Sequence, residues 1–158
     1  EMIWWLEFRR VLFRSRDMLF LGIDLISKRI NRADRKRESA RCNNLFFLKV
    51  DAMELLEALP ESLRILQTFV MYPDPWPKKR HHKNRLINQY FLSLLARSCA
   101  PGSSLHFKSD SLSYFNWTIE HLLNSPDWDA TDLPWPHKAT SFFEQIFSSS
   151  YECSAQLA

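Results

Sequence analysis

Ile65-Leu66-Gln67-Thr68-Phe69-Val70-Met71-Tyr72-Pro73-Asp74-Pro75-Trp76-Pro77-Lys78-Lys79-Arg80-His81-His82-Lys83 is the stretch on which the fold turns. Its first seven residues form an apolar run of strand length, the pattern of a buried strand. Pro73, Pro75 and Pro77 then exclude both continued pairing and a regular helix interior, because each lacks an N–H and fixes φ. The chain is expected to leave the strand as a stiff extended loop carrying one carboxylate, Asp74, one large aromatic, Trp76, and then a dense run of cations. A carboxylate just past the carboxyl end of a central strand stands where open α/β sheets bind ligands. A Pro-rich loop is often only a connector, and a basic run often only a solvated face. Here the order of residue types, acid then aromatic then phosphate-suited cations, points instead to chemistry on a nucleic acid.

Toward the N-terminus the same alternation of element types recurs. Leu45-Phe-Phe-Leu-Lys-Val50 reads as a strand and is followed at once by Asp51-Ala52. Asp51 can cap a helix over 53–59, and a ligand role is open beside that one. Met18-Leu-Phe-Leu-Gly-Ile-Asp24 reads as a buried parallel strand ending in a carboxylate, where ribose hydroxyls are typically bound. Between these strands, residues 27–41 are expected to be helical with a basic face, read as solvated, and Asn43-Asn44 ends that helix.

Toward the C-terminus, 84–99 is expected to form one amphipathic helix, with Leu86, Ile87, Tyr90, Phe91, Leu94 and Leu95 near one face. Pro101-Gly102 makes a turn, and 104–109 is a further strand ending in Asp110, with His106 a packed strand residue. A helix over 111–124 carries Leu112, Phe115, Ile119, Leu122 and Leu123 as its apolar stripe. Residues 127–137 read as an irregular surface loop, and 148–158 lack a clear closing strand. Strand-helix alternation implies a mostly parallel sheet with helices on both faces. Asp24, Asp51, Asp74 and Asp110 then fall on one edge and line a cleft suited to hydroxyls and amines.

At 158 residues, 46% hydrophobic and 25% charged, the chain is long enough for one globular domain with an adequate core. No apolar run approaches membrane-spanning length, and the start, Glu1-Met2-Ile3-Trp4-Trp5, lacks the basic region that opens a signal peptide. Cys42, Cys99 and Cys153 are odd in number and widely spaced, which suits a reducing compartment and hence the cytoplasm. His81-His82 has no Cys or carboxylate at ligand spacing, so no metal is expected. The net charge of +3 permits an RNA partner without demanding one. Gly22 and Gly102 are the only glycines, so the Gly-rich turn of a nucleotide-type site has no counterpart here. With a first residue that is not Met, this leads us to expect a fragment or a replaced N-terminus: residues 1–17 atypical, 18–147 a partial domain, and 148–158 a tail.

The run Asp74-Pro-Trp-Pro-Lys-Lys-Arg-His-His-Lys83 closely resembles the signature of the bacterial tRNA (guanine-N7-)-methyltransferases, which use S-adenosylmethionine. The resemblance continues through Arg85-Leu86, Phe91-Leu92, Leu94-Leu95-Ala96-Arg97, Pro101-Gly102, Leu105-His106-Phe107 and Asp110, and covers roughly residues 18–145. It implies a Rossmann-like class I methyltransferase fold whose first strand and Gly-rich loop are missing. It also implies methyl transfer to N7 of guanine-46 in the tRNA variable loop, by a monomer or homodimer. Carried over residue by residue, it makes Asp74 the central catalytic group and Asp24, Asp51 and Asp74 the cofactor-binding carboxylates. Lys78, Asp110, Ser141 and Glu144 would bind substrate, the last two in a Ser141-Phe142-Phe143-Glu144 group. Lys79, Arg80, Lys83 and Arg85 would grip the tRNA backbone. An RNA-binding fragment without catalysis and a methyltransferase for another nucleic acid are the alternatives, separated by cofactor binding and by substrate mapping.

Overall fold

The computed structural model describes residues 18–135 and 149–158. The expectations for 1–17, Ser141, Phe142, Phe143 and Glu144 lie outside the described residues. The described chain divides into two compact units, one up to Ala58 and one from Leu59 onward.

The first unit is built from β1 (Phe20–Asp24), α1 (Ser27–Ser39), β2 (Leu45–Lys49) and α2 (Ala52–Ala58). β1 and β2 pair in parallel, with Phe20 opposite Leu45 and Asp24 opposite Lys49. Cys42 and Leu45 are buried together, with Phe20, Ala40 and Phe47 packed against them, and Ile30 is the buried residue of α1. Strand side chains alternate between faces, so Leu21, Ile23, Phe46 and Leu48, all exposed, share the other face. Gly22 lies opposite Phe47. A Cβ there would stand 2.6 Å from the Phe47 ring, so close approach accounts for this glycine.

The second unit contains β3 (Ile65–Met71), a 3-10 helix (Lys79–Asn84), α3 (Gln89–Ser98), β4 (Cys99–Ser109), α4 (Leu112–Leu123), β5 (Trp128–Thr131) and β6 (Tyr151–Leu157). Its four-stranded sheet has the order β3-β4-β6-β5. β3 and β4 are parallel, whereas β6 runs antiparallel to both β4 and β5. Phe107 of β4 meets Tyr114 of α4 edge to face at 5.2 Å, and the Trp128 indole donates to the Leu92 carbonyl of α3 at 3.0 Å. Along β4, the alternate residues His106 and Lys108 point to the opposite face. His106 stacks on its register partner Phe69 at 5.1 Å, and its two ring nitrogens meet the hydroxyls of Ser154 and Ser104. This matches the expectation of a packed strand histidine.

Several expectations are corrected. The single sheet expected to carry all four strand-end carboxylates is, among the described residues, two sheets. Within the expected 148–158 tail, Tyr151–Leu157 is the strand β6, which pairs with β4 over six residues. Its alternate residues Glu152, Ser154 and Gln156 are polar, which hid it. Glu152 pairs with Lys108 at 2.8 Å and Ser154 with His106 at 2.8 Å, so cross-strand partners satisfy what an apolar pattern would not show. The loop over 127–137 contains β5, anchored by Trp128 at 2% exposure. The helix expected over 84–99 starts only at Gln89, because the Asn88 side chain caps it by accepting from the Phe91 N–H at 2.9 Å. Pro101-Gly102 lies within β4, where the register against β3 shifts and Gly102 takes φ +75°.

Candidate active site

In the second unit, the carboxyl ends of β3 and β4 lie side by side, with Met71 opposite Lys108. The Tyr72 N–H donates to the Lys108 carbonyl at 2.7 Å and pins the point where the chain leaves the sheet. Asp74 and Asp110 therefore emerge at the same edge, one from each of two neighbouring parallel strands. Asp74 is exposed on the Pro loop. Tyr72 and Trp76, on either side of it, hold φ of 49° and 45°. Left-handed backbone is costly for bulky residues and collects at functional sites. The cations do not continue as extended chain: they coil into the short helix Lys79–Asn84. With three residues per turn, Arg80 and Lys83 stack on one side of it. Lys78, Lys79, Arg80 and Lys83 are all exposed. The Trp76 ring packs edge-on against His81 at 5.9 Å, so it folds back on the basic turn.

Arg85 corrects an expectation. It was placed on the RNA backbone but is 1% exposed. Its Nε donates to the Pro75 carbonyl at 2.9 Å, Nη1 to the Ser113 carbonyl at 3.2 Å and Nη2 to the Ser113 hydroxyl at 3.1 Å. The guanidinium lies over the Tyr114 ring at 4.9 Å and the Trp117 ring at 5.3 Å. Burial lowers its pKa, an effect Tyr114 partly offsets. A planar fork can join two segments and stack at the same time, and here it leaves no free face for phosphate. Tyr114 accepts from the Ile87 N–H at 3.1 Å. Burial raises its phenol to about 12, the Ile87 and Leu86 amides and Arg85 oppose the rise, and the negative charge of Asp74 adds to it.

The other strand ends differ in what their carboxylates do. Asp51 Oδ1 accepts from the Met53 N–H at 2.8 Å and the Glu54 N–H at 3.4 Å, the expected N-cap of α2. Asp24 accepts from the Ile26 N–H at 2.7 Å and from Arg29 at 3.2 Å. Among the described residues neither Asp74 nor Asp110 accepts a hydrogen bond, and α4 is capped instead by Ser111, which accepts from the Tyr114 N–H. The apolar stripe expected for α4 is also corrected. Leu112 and Leu123 are exposed, and the buried residues are Tyr114, Thr118 and Leu122 at i, i+4, i+8. Hydroxyls masked that stripe in the sequence, although Ser113-Tyr114 with Trp117 three residues on was a legible sign of a face receiving a cation.

Parallel strands joined through helices make the chain Rossmann-like, and solved methyltransferases have the same fold. A solved rRNA methylase from Streptococcus thermophilus shares it, with a TM-score of 0.60 over 88% of this chain and 73% of that one, at 9% identity. So does a Streptococcus mutans protein solved in complex with SAH, with a TM-score of 0.56 over 89% of this chain and 76% of that one, at 10% identity. More particularly, residues 13–152 match the family described as "Putative methyltransferase", and the chain belongs to that family. Among curated relatives, the tRNA (guanine-N(7)-)-methyltransferase of Syntrophotalea carbinolica is 37% identical over 65% of this chain and 44% of its own length. The enzyme of the same name from Caulobacter vibrioides is 32% identical over 84% of this chain and 61% of its own length. The chain thus spans about half the length of the curated relatives it matches.

Proposed function

We propose that this chain is the part of a tRNA (guanine-N7-)-methyltransferase that carries Asp74 and the basic turn, and that it acts on a guanine of the tRNA variable loop. One observation carries the reading: Asp74 is uncommitted on a rigid loop at the parallel β3–β4 edge, and four exposed cations follow within ten residues. The names of the relatives support it.

Guanine N7 has an in-plane lone pair and loses no proton before it attacks, so the chain need supply no general base. It has to hold the nucleophile in line with the methyl group, and positioning of this kind is worth about 7–11 kcal/mol. Asp74 accepts hydrogen bonds from the guanine N1–H and exocyclic amine and opposes the positive charge growing on the ring. Lys78 and Asp110 hold the substrate, joined in this reading by Ser141 and Glu144. Lys79, Arg80 and Lys83 take backbone phosphates.

The donor groups fit S-adenosylmethionine. Asp51 Oδ2 accepts nothing among the described residues, and the Asp24 oxygen that pairs with Arg29 does so at an exposed bridge that can be shared. Asp24 and Asp51 would hold the cofactor, which when bound supplies an electrophilic methyl on a sulfonium. No described helix is long and apolar enough to cross a membrane. The tRNA substrate, together with three free cysteines, fits the cytoplasm.

The test is methyl transfer to unmodified tRNA, with chemical cleavage mapping the N7-methylated guanine. Transfer that survives Asp74→Ala, or a modified position other than guanine N7, sinks the reading.

A further inference from the structure

We infer that Arg85 is a positioning residue for Asp74, acting through the Pro75 carbonyl, and takes no part in gripping nucleic acid. The inference rests on the methyl-transfer reading for its consequence, but its geometry stands apart from that reading.

Pro73, Pro75 and Pro77 have no N–H to give, so the loop cannot hold itself by backbone pairing. Its tethers come from outside. At the base, the Tyr72 N–H is fixed to the Lys108 carbonyl. In the middle, the Pro75 carbonyl receives the Arg85 Nε–H. Asp74 lies between these two points and immediately before the second. The other end of the same guanidinium is fixed twice, to the Ser113 carbonyl and to its hydroxyl, at the first turn of α4. The Tyr114 and Trp117 rings both lie against its central carbon, at 4.9 Å and 5.3 Å. Trp117 is itself fastened by its indole N–H to the Ile87 carbonyl at 2.6 Å, two residues beyond Arg85. Arg85 thus joins the loop to α4 through a buried, planar fork, and the loop conformation, with Tyr72 and Trp76 left-handed around the carboxylate, depends on that join. A lysine has the charge but not the fork, and a single ammonium cannot reproduce bonds to both segments beside the two rings.

The experiment compares wild-type chain, Arg85→Lys and Arg85→Ala in two independent readouts. The first is hydrogen exchange at the Tyr72 and His81 amides, which flank the loop and donate to the Lys108 and Lys78 carbonyls, and it needs neither cofactor nor RNA. The inference predicts at least about tenfold faster exchange there in Arg85→Lys, with the β4 and α3 amides unchanged. The second is steady-state methyl transfer. Arg85→Lys should lower kcat by about 100-fold, the cost of a misplacement of order 1 Å, while KM for tRNA stays within about threefold. Added guanidinium ion should restore part of the Arg85→Ala turnover, which a merely unfolded variant would not show. Unchanged loop exchange in both variants overturns the inference. So does a raised KM at constant kcat with a shallower salt dependence of tRNA binding, the mark of a phosphate contact. If the wild-type chain transfers no methyl group, the proposed function fails and the exchange measurement alone decides Arg85.

Discussion

The two units place aspartates at equivalent points, just at or past the ends of parallel strands, but the fold itself takes up their oxygens to different extents. In the first unit Asp24 and Asp51 are committed locally: one closes a turn through the Ile26 N–H, and the other caps α2. In the second unit capping is delegated to neutral side chains, Asn88 for α3 and Ser111 for α4, and no described residue hydrogen-bonds to Asp74 or Asp110. A helix needs only an oxygen at its N-terminus, and Ser or Asn supplies one as well as Asp does. Assigning that task to a neutral residue leaves the carboxylate, with its charge and four lone pairs, for a ligand.

Substitutions that swap these roles test the contrast. The largest effect is expected at Asp74. Asp74→Asn should cost about 10²–10³ in kcat for methyl transfer, as loss of one transition-state interaction does, with the melting temperature unchanged. If Asp74→Asn melts early, the carboxylate is structural and the contrast collapses. Next comes the basic turn. Lys79→Ala, Arg80→Ala and Lys83→Ala together should lower the salt slope of tRNA binding by about 2–3, since each phosphate contact contributes about 0.7–0.9. An unchanged slope would make these cations a solvated face.

A third measurement compares the sheets through pH. Burial raises the Cys99 thiol to about 11, the Cys153 thiol to about 12 and the Tyr114 phenol to about 12, all in the second unit. Their folded pKa values exceed the unfolded ones, so the fold favours the protonated forms. That stability is complete below about pH 9 and is lost as pH rises toward 12, because the unfolded chain deprotonates first. Urea midpoints should fall across that window, and Cys153→Ser should flatten the fall. The smallest effects separate the carboxylates directly. Asp51→Ala should destabilise by about 1 kcal/mol through the lost cap, whereas Asp110→Ala should stay within about 0.5 kcal/mol. Equal losses at both positions would mean that Asp110 also does structural work.

This contrast was half legible in the sequence. Strands β1 to β3, the helix from Ser27 and the position of every strand-end acid follow from apolar runs broken by Asp, Asn and Pro, and these held, whereas β4 begins five residues earlier than the run suggests. Asp51 as a cap was legible because its neighbours read as a helix start. The roles of Asn88 and Ser111 were not, since each lay inside or at the edge of a stretch that reads as continuous helix until the cap hydrogen bond is seen. Arg85 was misread for a different reason. At the end of a run of cations, nothing local distinguishes an arginine that faces water from one folded under two rings 29 and 32 residues downstream. β6 was missed because its polar residues are satisfied by His106 and Lys108, partners that no window along the chain contains.

The three prolines have a consequence in chain entropy. A proline in a compatible conformation restricts the unfolded chain and is worth about 0.4–1 kcal/mol, whereas a left-handed residue other than glycine costs about 1–2 kcal/mol. Pro73, Pro75 and Pro77 on one side, Tyr72 and Trp76 on the other, are therefore of comparable magnitude. The loop, half-buried apart from Asp74 and Pro77, can therefore be ordered at little net conformational cost. In the proposed function, a base arriving at Asp74 would find conformational freedom already spent at folding, and little of its binding energy would go to immobilising the protein.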